Sequence, residues 1–247
     1  MILLLAYLAY AMILLIALSR RGVICSVPIP VEAAPAVSRI LIVGATGGTG
    51  RALVAQALDR DFNVTALVRN PARLDIVHPR LTVIRGDVMD AAVVNVAVRG
   101  QDAVVCVLGH KRFFYPTRIL SEGTRNLLRA MEANGVRRLV CQTSLGIGSS
   151  AGRMGVYYTL FVVPVILPFY FWDKTRQERL ISASRTEWVV VRPAALSNGA
   201  PLGTCRHGGE VGGFVLTPGV ARADVARFML DQLSGNDHLG SAVGVSS

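Results

Sequence analysis

The chain has 247 residues, 52% hydrophobic and 17% charged, which is enough apolar surface for one large α/β domain and far too much for a disordered chain. Beyond an apolar start, charged residues interrupt the apolar runs every few positions, which excludes a polytopic membrane protein. The formal charge of +10 comes from 24 Arg and 2 Lys spread singly. With no basic helix or aromatic-basic alternation beside it, that charge argues against nucleic acid and for an anionic small molecule.

In chain order, residues 2–18 are uncharged and Arg20-Arg21 follow at once. The run approaches the ~20 residues of a membrane-crossing helix, and charge placed after it sets its C-terminal side in the cytoplasm. Residues 1–22 are therefore expected to be a transmembrane anchor, 23–38 a Pro/Ala-rich linker and 39–247 the catalytic domain at the cytoplasmic face. A cleaved targeting segment and an over-extended gene start are the alternatives. Cys25, Cys106, Cys141 and Cys205 are far apart, without metal-site spacing, so reduced cysteines packed as small apolar groups are expected.

From residue 39, short β-branched runs alternate with helical spacing. Strands are expected at 39–43, 63–68, 81–84, 102–108, 137–142 and 187–191, and helices at 48–58, 91–98, 118–133 and 173–183. Strands apolar throughout and separated by helices mean a parallel sheet covered on both faces, the doubly wound α/β layout. The apolar stretch 156–172, broken by Pro164 and Pro168, reads as a substrate-side lid or buried insertion, or as a patch resting on a bilayer.

The first strand runs into Gly44-Ala45-Thr46-Gly47-Gly48-Thr49-Gly50. Glycines between a strand and a helix permit a tight turn and let backbone N–H groups approach a diphosphate, so the loop predicts dinucleotide binding. Cofactor choice is read at the end of the second strand, where an acidic residue would hold the ribose hydroxyls. The chain has Arg69 there and Arg73 one turn on. Guanidinium groups pair with a 2′-phosphate, so NADPH is expected over NADH; the alternative is two ordinary surface arginines. Asp87 and Val88 follow the third strand, where a carboxylate can accept the adenine amino group. Leu108-Gly109 after the fourth allows close approach to the middle of the cofactor.

The motifs GATGGTG, LVRNPARL, GDVMD, SEGTRNLLRAMEANGVRRLVCQTS and WVVVRPAAL occur in order. Together they resemble the atypical short-chain dehydrogenase/reductase group, closest to the biliverdin-IXβ reductase/flavin reductase family, over residue 39 to the C-terminus. The resemblance implies a Rossmann fold and places Thr143 and Ser144 near the nicotinamide, with the serine hydroxyl bonding substrate or carboxamide. That family also carries a histidine after the sixth strand. Here the matching stretch is Arg192-Pro193-Ala194-Ala195, which weighs against bile-pigment reduction. Tyr170 and Lys174 have the YxxxK spacing that places a phenol and an ammonium on one helix face in short-chain dehydrogenases; Tyr170 also lies in an aromatic run suited to packing. The expectation is an NADPH-dependent reductase acting on a flavin or quinone-like acceptor. The rival is a non-catalytic NADP(H) sensor of NmrA-like type. Neither the acceptor nor the oligomeric state is legible in the residues.

Overall fold

The computed structural model describes residues 2–21, 37–110 and 112–247. Helix α1 (Ile2–Arg21) is followed by β1 (Arg39–Val43), α2 (Gly48–Asp59), β2 (Asn63–Val68), β3 (Leu81–Arg85), α3 (Ala91–Val98), β4 (Ala103–Cys106), α4 (Ile119–Ala133) and β5 (Arg138–Gln142). Then come α5 (Pro168–Ser182), β6 (Glu187–Pro193), β7 (Ala195–Ser197), β8 (Arg206–Gly208), β9 (Gly219–Ala221), α6 (Arg222–Asp231) and β10 (Ser241–Ser246). The main sheet has the order β3-β2-β1-β4-β5-β6-β10-β8. It is parallel as far as β10, with β8 antiparallel at the edge. This is the doubly wound Rossmann layout, and strand order reverses between β1 and β4, which opens a crevice at their C-terminal ends.

Side-chain alternation along each strand supplies two cores. Ile40 and Ile42 face Leu53, Val54 and Ala57 of α2 and Val225 and Met229 of α6. Leu41 and Val43 face the other way, toward Val94 of α3, Leu127 and Met131 of α4 and Ile181 of α5. Cys106 and Cys141 are register partners on β4 and β5 and both are buried free thiols; Cys205 is also free. Cys25 lies outside the described residues, as does the expected linker apart from residues 37 and 38.

Helix α5 begins five residues before the expected position because Pro168 occupies its first turn, where a fixed φ and a missing N–H carry no penalty. It is preceded by a π-helical stretch, Tyr158–Ile166, with Pro164 inside it. The strands after β6 escaped the sequence reading. Three of them have only three residues, and β10 (SAVGVS) lacks a bulky run yet lies parallel to β6 from Ser241 to Val245.

The transmembrane anchor is corrected. Among the described residues no helix is long and apolar enough to cross a membrane. Helix α1 instead lies against the domain: Leu18 packs with Ile147, Val163 and Phe171, and Ala11 is buried. The hydroxyls of Tyr7 and Tyr10 donate to the carbonyls of Leu160 and Pro164. The physical reason is that the irregular, proline-containing stretch offers carbonyl groups and apolar surface that α1 satisfies. The membrane partner and the membrane-anchored localisation fall with the anchor.

Among the described residues, one ion pair lies wholly inside. Arg192 of β6 donates to Glu178 of α5 through Nη2 (2.6 Å) and Nε (3.0 Å), and their side chains are 1% and 0% exposed. The hydroxyls of Thr143 (2.6 Å to Glu178) and Ser149 (3.0 Å to Arg192) complete the network. Glu178→Gln should therefore destabilise the protein by about 3–5 kcal/mol by leaving a buried guanidinium unneutralised, whereas Glu178→Leu combined with Arg192→Met should recover most of that loss. Urea unfolding of the three variants checks it.

Candidate active site

The crevice is built first by glycine. Gly44 ends β1 with φ +94°, and a Cβ on it would lie 2.6 Å from the Val107 carbonyl oxygen beyond β4. A Cβ on Gly50 would lie 2.1 Å from the Gly44 carbonyl oxygen, so the first turn of α2 is pressed against the strand end. The Gly47 N–H closes the turn onto the Gly44 carbonyl at 3.0 Å. Gly47 stands at the N-cap and makes no side-chain cap bond. By contrast α3 is capped by Asp90, and the buried Asp173 carboxylate of α5 accepts from the N–H groups of Leu120 and Ser121 in the first turn of α4. The first N–H groups of α2 thus point into the crevice beside the positive end of the helix dipole, an arrangement suited to a diphosphate. Thr46 is half-buried and Thr49 buried within this loop.

On the β2 side, Arg69 and Arg73 are both exposed, and Asn70 caps the short turn between them by accepting from the Ala72 N–H. Arg51 of α2, overlooked in the sequence, is tethered here: Nη2 donates to the Arg73 carbonyl (2.7 Å) and Nη1 pairs with Asp75 (3.2 Å). Asp87 folds back to accept from the Met89 N–H at 3.0 Å. Val88 is buried against α4, where a Cβ on Gly123 would lie 2.7 Å from a Val88 methyl.

On the β4–β5 side, the structure brings Leu108, Gly109, Tyr170 and Lys174 together. Lys174 is 1% exposed, and its ammonium donates to the carbonyls of Leu108 (3.1 Å) and Gln142 (2.9 Å), so it splints the ends of β4 and β5. Its Nζ lies 5.7 Å from the centre of the Tyr170 ring, while a Cβ on Gly109 would sit 3.6 Å from the Tyr170 hydroxyl. The Thr143 hydroxyl is committed to Glu178, which makes Thr143 a support of the strand end. Ser144 is half-buried, and its hydroxyl donates to the Leu145 carbonyl at 3.0 Å.

The sequence reading missed His110. It follows Gly109, stacks edge-on to Tyr170 at 5.0 Å between ring centres and lies 6.4 Å from Phe113. The Arg112 N–H donates to Nδ1, so the proton is assigned to Nε2, 3.0 Å from the Thr117 hydroxyl. Burial pushes its pKa below the ordinary imidazole value, with Lys174 and Arg112 adding to the fall and Asp173 opposing it. The signal available in the sequence was a Gly-His pair directly after the fourth strand.

The pattern of the NAD(P)H-binding family matches residues 44–236. The chain belongs to that family. This NAD(P)H-binding protein is 30% identical over 185 residues to an uncharacterized chloroplastic protein of Arabidopsis thaliana, covering 70% of this chain and 64% of that one. It is 32% identical over 189 residues to a 3-diazoavenalumate denitrifying reductase of Streptomyces sp, covering 69% of this chain and 60% of that one. It therefore spans somewhat less than two thirds of the length of these relatives. An anaerobillin reductase of Escherichia coli O157:H7 shares the fold at TM-score 0.70 and 22% identity, over 85% of this chain and 97% of that one.

Because the His110 pKa is depressed in the fold, its charging opposes folding: the stability it contributes is complete above the ordinary imidazole pKa of about 6.5 and is lost as pH falls below that value toward the folded pKa. His110→Asn should remove this part of the acid loss of stability, and an NMR titration should show the wild-type ring charging only below the ordinary range. A ring that titrates at or above that range contradicts the assignment.

Proposed function

We propose that the protein is an NADPH-dependent reductase that passes a hydride to a planar acceptor, a flavin or quinone-like ring. The observation that carries this reading is the uncapped N-terminus of α2 at the strand-order reversal, with the exposed Arg69 and Arg73 on one side and the Tyr170–His110 pair on the other. The glycine loop fits the diphosphate, since Gly44 and Gly50 let the first turn of α2 press against the strand ends where any side chain would strike backbone. Bound, the dinucleotide supplies the hydride.

The chain's own groups bind, orient and supply protons. Arg69 and Arg73 receive the 2′-phosphate as charge-assisted donors, and Asp87 accepts the adenine amino group. Leu108 and Gly109 line the middle of the cofactor. Lys174 acts as a positioning residue by holding the two strand ends that flank the nicotinamide. Ser144 retains lone pairs to accept from the carboxamide. Tyr170, its hydroxyl over Gly109, donates a proton to the acceptor as the hydride arrives and regains it from solvent, with neutral His110 against its ring. A redox role is in line with the denitrifying reductase among the similar proteins.

A second reading, binding of NADP(H) without turnover as an NmrA-like sensor, is favoured by one observation: Lys174 and Ser144 already donate to backbone carbonyls.

The full chain should oxidise NADPH in the presence of FMN or a soluble quinone. Arg69→Asp should raise KM for NADPH by roughly 10-fold or more, replacing an attraction of about 1.5–3 kcal/mol by repulsion, and leave NADH nearly unchanged. Tight NADPH binding with no turnover across flavins, quinones and carbonyls would select the sensor instead, and equal losses for both cofactors would refute the NADPH preference.

A further inference from the structure

The phosphate loop has a second wall that its glycine pattern does not disclose. A Cβ on Gly48 would lie 2.5 Å from Cδ and 2.7 Å from Nε of Arg222, so the Arg222 side chain is laid across the first turn of α2. Arg222 is the first residue of α6, and α2 and α6 pack on the same face of the sheet, which brings their two N-termini to the same end of the crevice. Its Nη1 donates to the Asn198 side-chain oxygen at 2.6 Å, a neutral acceptor that orients the guanidinium without cancelling its charge.

The charge on this arginine is not balanced by a neighbouring acid. Arg39, Arg51, Arg60, Arg80, Arg138, Arg153 and Arg192 each have a carboxylate partner; Arg222 has none among the described residues. The nearest acid along its helix, Asp224, is buried and accepts from the N–H groups of Leu202 and Gly203 and from Arg227. An uncompensated guanidinium therefore rests on an uncapped helix N-terminus, two positive features in contact. Such a pairing is unfavourable with nothing between them and favourable around an anion.

We propose that Arg222, oriented by Asn198, is the far jaw of a clamp on the diphosphate of the dinucleotide, with the N–H groups of Gly48 and Thr49 as the near jaw. The proposal rests on the reading of the loop as a dinucleotide site. The jaw acts on the diphosphate common to NADH and NADPH and leaves the choice between them to Arg69.

Calorimetric titration of the full chain with three probes separates the terms: ADP carries a diphosphate without a 2′-phosphate, 2′-AMP the reverse, and NADPH both. Arg222→Gln should weaken ADP and NADPH by about 10-fold alike, the factor that corresponds to 1.4 kcal/mol, and leave 2′-AMP unchanged. Arg69→Asp should weaken 2′-AMP and NADPH and leave ADP unchanged. Arg222→Lys, which keeps the charge but loses the fork held by Asn198, should fall between, with thermal melting unchanged in all three variants. Equal ADP affinity for wild type and Arg222→Gln overturns the clamp while leaving the dinucleotide reading intact, as does an equal loss for 2′-AMP. A wild-type chain that binds neither ADP nor NADPH overturns the dinucleotide reading itself, and the clamp with it.

Discussion

The contact on which the crevice depends is the approach of α2 to the ends of β1 and β4. With a Cβ position at Gly50 only 2.1 Å from the Gly44 carbonyl oxygen, and one at Gly44 only 2.6 Å from that of Val107, three backbone segments meet with no room for a side chain at either point. That closeness turns the first N–H groups of α2 toward the reversal point of the sheet and leaves them without an internal cap. The positive φ at Gly44 adds a second constraint, since a side chain there would be strained even with space around it. The binding capacity of the loop and the packing of α2 on the sheet thus arise from the same contacts.

Helix α5 is the second organising element. Four of its buried polar side chains reach other elements: Asp173, Lys174, Gln177 and Glu178. Each ties α5 to a different partner: the α4 N-terminus, the ends of β4 and β5, Thr124, and Arg192 of β6. Buried polar groups require such partners, so the helix has little freedom to rotate or slide. Tyr170 stands one turn before Lys174 and inherits that placement. The placement of Tyr170 therefore comes from buried polar ties made by its own helix.

The two ends of the crevice differ in character. The β2 end carries Arg51, Arg69 and Arg73, suited to phosphate and adenine. The opposite end is aromatic, with Tyr170 in edge contact with both His110 and Phe113. Near it, α1 and the π-helical stretch bring Leu14, Leu18, Val163 and Leu167 against Phe171 and Tyr170. The crevice thus has a charged half and an apolar half.

The sequence alone determined the doubly wound sheet, the glycine loop and the arginines after β2, because each is a local pattern: β-branched runs spaced by helices, a strand-to-helix turn that only glycine allows, a charge at a strand end. It did not determine what those residues do in space. Lys174 and Thr143 were recognisable by spacing and by resemblance, yet only tertiary structure committed the ammonium to two carbonyls and the hydroxyl to Glu178. His110 had no motif of its own and became visible when β4 and α5 met. Arg222 lies 174 positions from Gly48, and no periodicity links them. The apolar start read as a membrane anchor because hydropathy counts residues without asking what they face; folding set α1 against the Tyr158–Ile166 stretch. Local chemistry is written in neighbouring residues, whereas burial, hydrogen-bond commitment and charge compensation depend on which distant segments the fold brings into contact.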